Sequence, residues 1–128
     1  MEFDYTVTTS KKFDDAVQSV QDEIGKAGMR VLYVHDVQKT LVDKGFERAP
    51  FKIVEFCNAA YANEVLNTDS RIGLCLPCKI NVYAEDSEIR ISGMRPTMLV
   101  HFFPTAKKVE HLLEEIDQKI QSIIAGAK

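Results

Sequence analysis

The order of apolar and polar residues in the first third of the chain predicts two strands with a helix between them. Residues 3–8 alternate between apolar and polar side chains, which is typical of a strand with one apolar face. Within residues 13–24 the apolar positions recur at helical spacing, and Gly28 is placed to end that helix. Residues 29–35 are rich in β-branched and aromatic side chains, which predicts a second strand.

Two polar residues in the middle of the chain mark the starts of further helices. Asp36 and Asn58 each directly follow a predicted strand. Their side-chain oxygens can accept hydrogen bonds from the free backbone N–H groups in the first turn of a helix. We therefore expect short helices at residues 37–44 and 59–66, with a strand at residues 51–57 between them.

The last part of the chain predicts a hairpin and then an amphipathic helix. Its β-type segments are residues 72–83, 88–94 and 98–103. Pro77 interrupts the first segment, and a turn at residues 85–87 joins it to the second. The third segment is either a short strand or the floor of a loop. Beyond it, apolar residues recur at helical spacing from position 109 to position 124, which predicts a helix with a wide apolar stripe.

These elements occur in the order β-α-β-α-β-α-β-β-(β)-α, in one domain that comprises residues 1–128. Alternation of strands and helices followed by a hairpin favours an α+β fold, in which helices pack on a mixed β-sheet. An open sheet has exposed edges, and the isoleucine-rich last helix carries much apolar surface. Both features favour self-association, and we expect a homodimer because two-fold dimers are the commonest oligomers.

Length, charge and composition narrow the possible functions. At 128 residues and 14.5 kDa, the chain has room for one domain with its own core. The net charge of −3 is spread along the chain, so we expect no nucleic-acid partner. The chain contains neither an apolar stretch of the roughly 20 residues that span a membrane nor a signal-peptide pattern, which predicts a cytoplasmic protein without membrane contact. We also expect no cofactor, because no phosphate-binding or dinucleotide-binding glycine motif is present.

The three cysteines are the most chemically suggestive residues. Cys75 and Cys78 form a C-x-x-C pair, but residues three apart in a regular strand point to opposite faces. Their sulfurs meet only if the strand breaks near Pro77. Cys57 directly precedes a predicted helix, whose dipole can lower the pKa of a thiol. A buried structural role, a single reactive thiol and a metal site completed by His101 remain open, and we expect no metal.

Three segments of the chain together resemble one known family. They are FKIVEFCN at residues 51–58, GLCLPCKI at residues 73–80 and MRP at residues 94–96. Their order and spacing are similar to those of the domain of unknown function family three-hundred-and-two, over residues 1–125. Ala59 stands where that family usually has proline, and Cys75 stands at a usually aliphatic position. The resemblance implies a compact α+β domain, often dimeric, without an established activity.

Polar and thiol residues at the ends of predicted strands form a candidate site. They are Asp36, Cys57, Asn58, Pro77, Cys78 and Arg95, with Arg71 as an alternative cation. Open sheets build ligand crevices at strand ends, and an arginine can neutralise an anionic ligand. We therefore expect a domain that binds a small molecule or a partner in a crevice near residues 57–58 and 76–78. The alternative is a redox or sulfur-transfer protein that uses Cys57 or Cys78.

Overall fold

The centre of the fold is a five-stranded sheet. The computed structural model describes residues 2–128. The strands are β1 (Asp4–Thr9), β2 (Arg30–Asp36), β3 (Phe51–Cys57), β4 (Cys78–Glu85) and β5 (Glu88–Met94). Their order across the sheet is β1-β5-β4-β3-β2, so β1 and β2 form the two edges.

Helices connect the strands, and two long helices cover one face of the sheet. The α-helices are α1 (Phe13–Lys26), α2 (Val37–Asp43), α3 (Ala59–Thr68), α4 (Leu99–Phe102) and α5 (Glu110–Ala127). Short 3₁₀ helices occupy Ser70–Cys75, Pro96–Met98 and Pro104–Val109. The predicted α+β class is confirmed. Within residues 2–128, no helix is both long enough and apolar enough to cross a membrane.

All four strand pairings of the sheet within residues 2–128 are antiparallel. The prediction of a mixed sheet was therefore wrong. The reason is visible between β2 and β3. With its 7 residues, α2 spans only about 10 Å, whereas the strand before it spans about 23 Å. The short helix does not carry the chain back along the sheet, so β3 begins at the end where β2 finishes. Strand–helix alternation in a sequence does not by itself define strand direction.

Two of the predicted β segments are partly or wholly helical. The predicted strand at residues 72–83 begins only at Cys78, because Ser70–Cys75 forms a 3₁₀ helix after Asp69, whose side chain accepts a hydrogen bond from a backbone N–H of that helix. Residues 98–103, expected to form either a short strand or the floor of a loop, belong instead to the helical segments that follow Arg95. Pro96 occupies the first position of the 3₁₀ helix, where its missing N–H costs nothing.

The core lies between the sheet and the helices α1 and α5. Side chains of the three central strands alternate in direction, and those that face the helices are fully buried: Val54, Phe56, Ile80, Val82 and Ile91. The isoleucines of α5 are buried against them, so the apolar stripe of the last helix is covered within one chain. The apolar stripe of α5 is therefore not an argument for self-association.

Gly93 allows α5 to approach the sheet closely. A Cβ atom at this position would lie 2.9 Å from Cδ1 of Ile124 and 3.0 Å from Cγ2 of Ile120. The glycine is in β5, where a larger side chain would point directly at the helix. The close packing of helix on sheet thus depends on the absence of a side chain at this position.

Candidate functional site

A cavity opens where β4 begins and β5 ends. Its volume is about 290 Å³. We name it the strand-end cavity. It is lined by Leu74, Cys75, Pro77, Cys78, Lys79, Met94, Pro96, Leu99 and Ile120. Ile80 pairs with Gly93, so the next residues outward, Lys79 and Met94, face each other across the ends of the two strands. Helix α4 and the 3₁₀ segments close the remaining sides.

The lining of the strand-end cavity is predominantly apolar. Leu99 and Ile120, at 4% and 2% exposure, belong to the core and line its inner part. Leu74 is 85% exposed, and it is therefore placed at the mouth. The polar or ionisable residues among the lining are Cys75, Cys78 and Lys79. Such a cavity favours an apolar ligand, because a polar group placed there would lose its hydrogen bonds to water.

The break at Pro77 brings both cysteines of the C-x-x-C pair to one cavity. The chain leaves the 3₁₀ helix at Cys75 and enters β4 at Cys78, with a cis peptide bond between Leu76 and Pro77. Both thiols are free and half-buried. Of the predicted site residues, Pro77 and Cys78 therefore meet at this cavity, together with Cys75.

Cys57 and Asn58 lie at the same end of the sheet but do not line the cavity. Phe56 pairs with Cys78 and shares its face of the sheet, so alternation turns Cys57 toward the opposite face. The side-chain oxygen of Asn58 accepts hydrogen bonds from the backbone N–H groups of Ala60 and Tyr61, at 3.0 and 3.2 Å. The predicted helix cap is confirmed. The side-chain oxygen of Asn58 is therefore already engaged in hydrogen bonds with its own helix.

Asp36 lies at the opposite end of the sheet from these residues. Arg30 pairs with Cys57 at one end of β2, and Asp36 pairs with Lys52 at the other. The carboxylate of Asp36 caps α2 by accepting a hydrogen bond from the backbone N–H of Lys39 at 2.9 Å. The predicted capping role is confirmed, while the predicted meeting of Asp36 with the cysteines does not occur.

Arg95 is directed into a buried network behind the cavity wall. Its guanidinium group donates two hydrogen bonds of 3.3 Å to the carboxylate of Asp117, which is 3% exposed. Thr97 and Gln121 donate to the same carboxylate at 2.8 and 2.6 Å. Pro96, which lines the cavity, stands between Arg95 and Thr97, so this network holds the wall in place. Arg71, the alternative cation, pairs instead with Asp69 at 3.1 Å.

Burial works against thiolate formation at two of the cysteines. It raises the pKa of the Cys78 thiol to about 11, and the nearby Cys57 adds to the increase while Lys79 opposes it. Burial also raises the pKa of Cys57. The lowered pKa expected for Cys57 beside a helix start is therefore corrected. Desolvation of the half-buried sulfur raises the pKa of Cys57 and outweighs the backbone hydrogen bond at Asn58, which lowers it.

The described part of the chain contains no group of three histidine, cysteine or acidic side chains placed to hold a metal ion. His101, the fourth ligand considered for the cysteines, is exposed on α4 and does not line the cavity. The metal interpretation therefore has no geometric support among residues 2–128.

Most of the cavity lining was not predicted as part of a site. Met94, Leu99 and Ile120 are apolar residues in apolar segments. From the sequence alone, an apolar residue that lines a cavity cannot be distinguished from one that packs in the core. The buried position of Asp117 could have been recognised in the sequence, because it is an acidic residue inside the apolar stripe of the last helix. A buried carboxylate at such a position requires a charged or hydrogen-bonding partner, which here is Arg95.

Comparisons with known proteins agree with this architecture. The crystal structure of an uncharacterised conserved DUF302 protein from Bacillus stearothermophilus matches with a TM-score of 0.91 and 28% sequence identity, over 100% of both chains. No curated protein matches the chain. The family model of DUF302, a domain of unknown function, matches residues 5–127. The chain therefore belongs to the DUF302 family.

Proposed function

We propose that this domain binds a small, largely apolar molecule in the strand-end cavity. The observation that carries the proposal is an apolar cavity of about 290 Å³ at the strand ends, walled by Cys75, Cys78, Met94 and Leu99. The cavity is open at its mouth, and its concave, predominantly apolar lining with a few polar groups is typical of small-molecule sites. An apolar cavity of about 150 Å³ already binds benzene, and this one is nearly twice as large.

Binding is proposed in preference to catalysis for a chemical reason. Cys78 is a nucleophile at the cavity wall, and burial raises its pKa to about 11, so the unreactive thiol form dominates at neutral pH. A redox or sulfur-transfer role for Cys57 or Cys78 would require the opposite shift. The thiol alternative therefore receives no support from the electrostatics of either residue.

Filling the cavity should abolish binding. In Cys75→Phe the ring would occupy the strand-end cavity, because Cys75 lines it and is half-buried. With 1-octanol as the probe, we expect the wild-type chain to gain about 2.7 kcal/mol at a concentration 100 times its Kd, and the variant to gain nothing. The measurement is the shift in thermal unfolding temperature against probe concentration.

Ser122→Phe is the matched control, since Ser122 is exposed on α5 and does not line the cavity. It should respond to 1-octanol as the wild-type chain does. An equal shift in Cys75→Phe and in the control would place binding elsewhere, and no saturable shift in the wild-type chain would refute the proposed function.

We also propose that the domain is a homodimer whose contact lies at α2 and the edge strand β2, here named the α2 surface. Helix α2 has no buried residue within one chain. Large apolar side chains are exposed in β2, in α2 and just after α2: Leu32, Tyr33, Val42 and Phe46, at 53%, 61%, 50% and 63%. Exposed apolar side chains favour protein contacts, and an edge strand is open to pairing.

Phe46→Glu should weaken this dimer, because it would place a charge in the apolar contact without disturbing the core of one chain. Sedimentation equilibrium should give a dimer for the wild-type chain and a larger monomer fraction for the variant. Phe102→Glu, at a residue 60% exposed on α4, is the control and should remain dimeric. A wild-type chain that stays monomeric up to its solubility limit would contradict the dimer, and a dimer unaffected by Phe46→Glu would contradict this contact.

A further inference from the structure

We propose that the ligand of the strand-end cavity is an amphipathic anion, whose charged group pairs with Lys79 while its apolar chain enters the cavity. This inference rests on the proposed function and adds the chemical class of the ligand. It is carried by the position of one cation at the boundary between two openings, and by the absence of a carboxylate partner for that cation within residues 2–128.

Lys79 stands at the mouth of the cavity. It lines both the strand-end cavity and a neighbouring hollow of about 570 Å³ on the face of the sheet without α1 and α5. Its ammonium group donates a hydrogen bond of 3.3 Å to the backbone oxygen of Pro77, a residue of the cavity wall. Its charge also opposes the rise in the pKa of Cys78, so it acts at the cavity wall. An apolar wall and a charge thus meet at one point.

The charge of Lys79 is not neutralised within the described residues, where the side chain takes part in no ion pair. Its cross-strand neighbour is Glu55, the carboxylate best placed to pair with it. That carboxylate is instead bonded to His35. The geometry leaves the ammonium group of Lys79 available to a ligand.

The neighbouring hollow is lined by a second cation besides Lys79. Arg48 lines it and forms no ion pair in the described part of the chain. Of the two acidic residues that line it, Glu85 pairs with Arg90, whereas Asp4 keeps its negative charge, because the hydrogen bond that it accepts from Thr6 does not neutralise it. Within residues 2–128, Lys79 and Arg48 are thus two cations without an ion pair against one such carboxylate, and a positive charge remains in excess. A carboxylate attached to an alkyl chain complements both the charge and the apolar wall.

Three probes of similar length separate the contribution of charge from that of the chain: octanoate, 1-octanol and octylammonium. By calorimetry at neutral pH and low salt, octanoate should bind the wild-type chain about fivefold more tightly than 1-octanol, and octylammonium should bind most weakly. The preference for octanoate should decrease as salt is added, because salt screens the exposed pair.

Lys79→Met should remove the preference of octanoate over 1-octanol while 1-octanol still binds, and Lys79→Arg should retain it. Lys108→Met removes an exposed cation that does not line the cavity, and it should behave as the wild-type chain does. If Lys79→Met keeps the preference, or if the wild-type chain shows none, the inference is overturned while the cavity remains a binding site. If 1-octanol and octanoate both fail to bind the wild-type chain, the proposed function fails, and this inference fails with it.

Discussion

Replacing Arg95 with methionine is expected to lower the free energy of unfolding by about 3 kcal/mol at neutral pH. The carboxylate of Asp117 is 3% exposed and accepts two hydrogen bonds from Arg95, one from Thr97 and one from Gln121. The variant would leave a buried negative charge without its cation, which is far more costly than losing an exposed ion pair. The value is at the lower end of the usual range because the Arg95 side chain is 31% exposed.

The loss should depend on pH in a defined direction. Burial alone would raise the pKa of Asp117, but hydrogen bonds from Arg95, Gln121 and Thr97 and the charge of Arg95 lower it overall. A carboxyl whose pKa is depressed by folding stabilises the protein above its unfolded pKa and loses that contribution as the pH falls. Without Arg95, burial would dominate and raise this pKa. The penalty should therefore be largest at neutral pH and should decrease in acid, beginning above the ordinary carboxyl pKa of about 4, because the raised pKa of the variant lets its carboxyl take up a proton earlier.

Urea unfolding of Arg95→Met and the wild-type chain, at neutral pH and in mild acid, measures both effects. Lys39→Met is the control, because it removes a pair with Asp43 in which both side chains are exposed, and it should unfold at the wild-type midpoint. A loss below about 1 kcal/mol at neutral pH would contradict the buried-pair account. A penalty that increases in acid would contradict the predicted direction of the Asp117 pKa.

Gly93→Ala is expected to destabilise the domain by about 1–3 kcal/mol, because the added methyl group would press against α5. Its Cβ atom would lie 2.9 Å from Ile124 and 3.0 Å from Ile120, and both isoleucines are buried in the core. Since β5 is paired on both sides, by β1 and β4, the strand has little freedom to move away.

Ile124→Val tests the cause, because it removes the Cδ1 atom nearest to the added methyl group. The double variant should be less destabilised than the sum of the two single variants. Gly25→Ala is the matched control: Gly25 is in α1, and a methyl group added there would meet no other atom within 4 Å, so alanine should stabilise by roughly 0.5–1 kcal/mol. A Gly93→Ala variant as stable as the wild-type chain would show that α5 is not held against the sheet as described.

Local features of the chain were predictable from the sequence because their causes are local. Asp36 and Asn58 cap helices through bonds to residues two or three positions away. The turn that joins β4 and β5 has positive φ at Asp86 and Ser87, as expected for a two-residue hairpin turn. In each case the signal and the structure lie within a few residues of each other.

The candidate site was less predictable because its members converge from distant parts of the chain. Cys57 and Cys78 lie at neighbouring strand ends, as expected, but strand alternation directs them to opposite faces. Asp36 lies at the far end of the sheet because the β2–β3 pair is antiparallel, and strand direction does not follow from the order of elements. The wall formed by Met94, Pro96 and Leu99 depends on a helical segment that was expected to be a short strand or the floor of a loop.

The most direct measurement of ligand binding at the end of the sheet is residue-by-residue NMR of the backbone amides during titration with 1-octanol. We expect saturable shifts concentrated at Cys75, Cys78, Met94, Leu99 and Ile120, with amides around Asp36 unchanged. Shifts that are spread over the whole surface, that never saturate, or that leave these five amides unmoved would contradict a ligand site in the strand-end cavity.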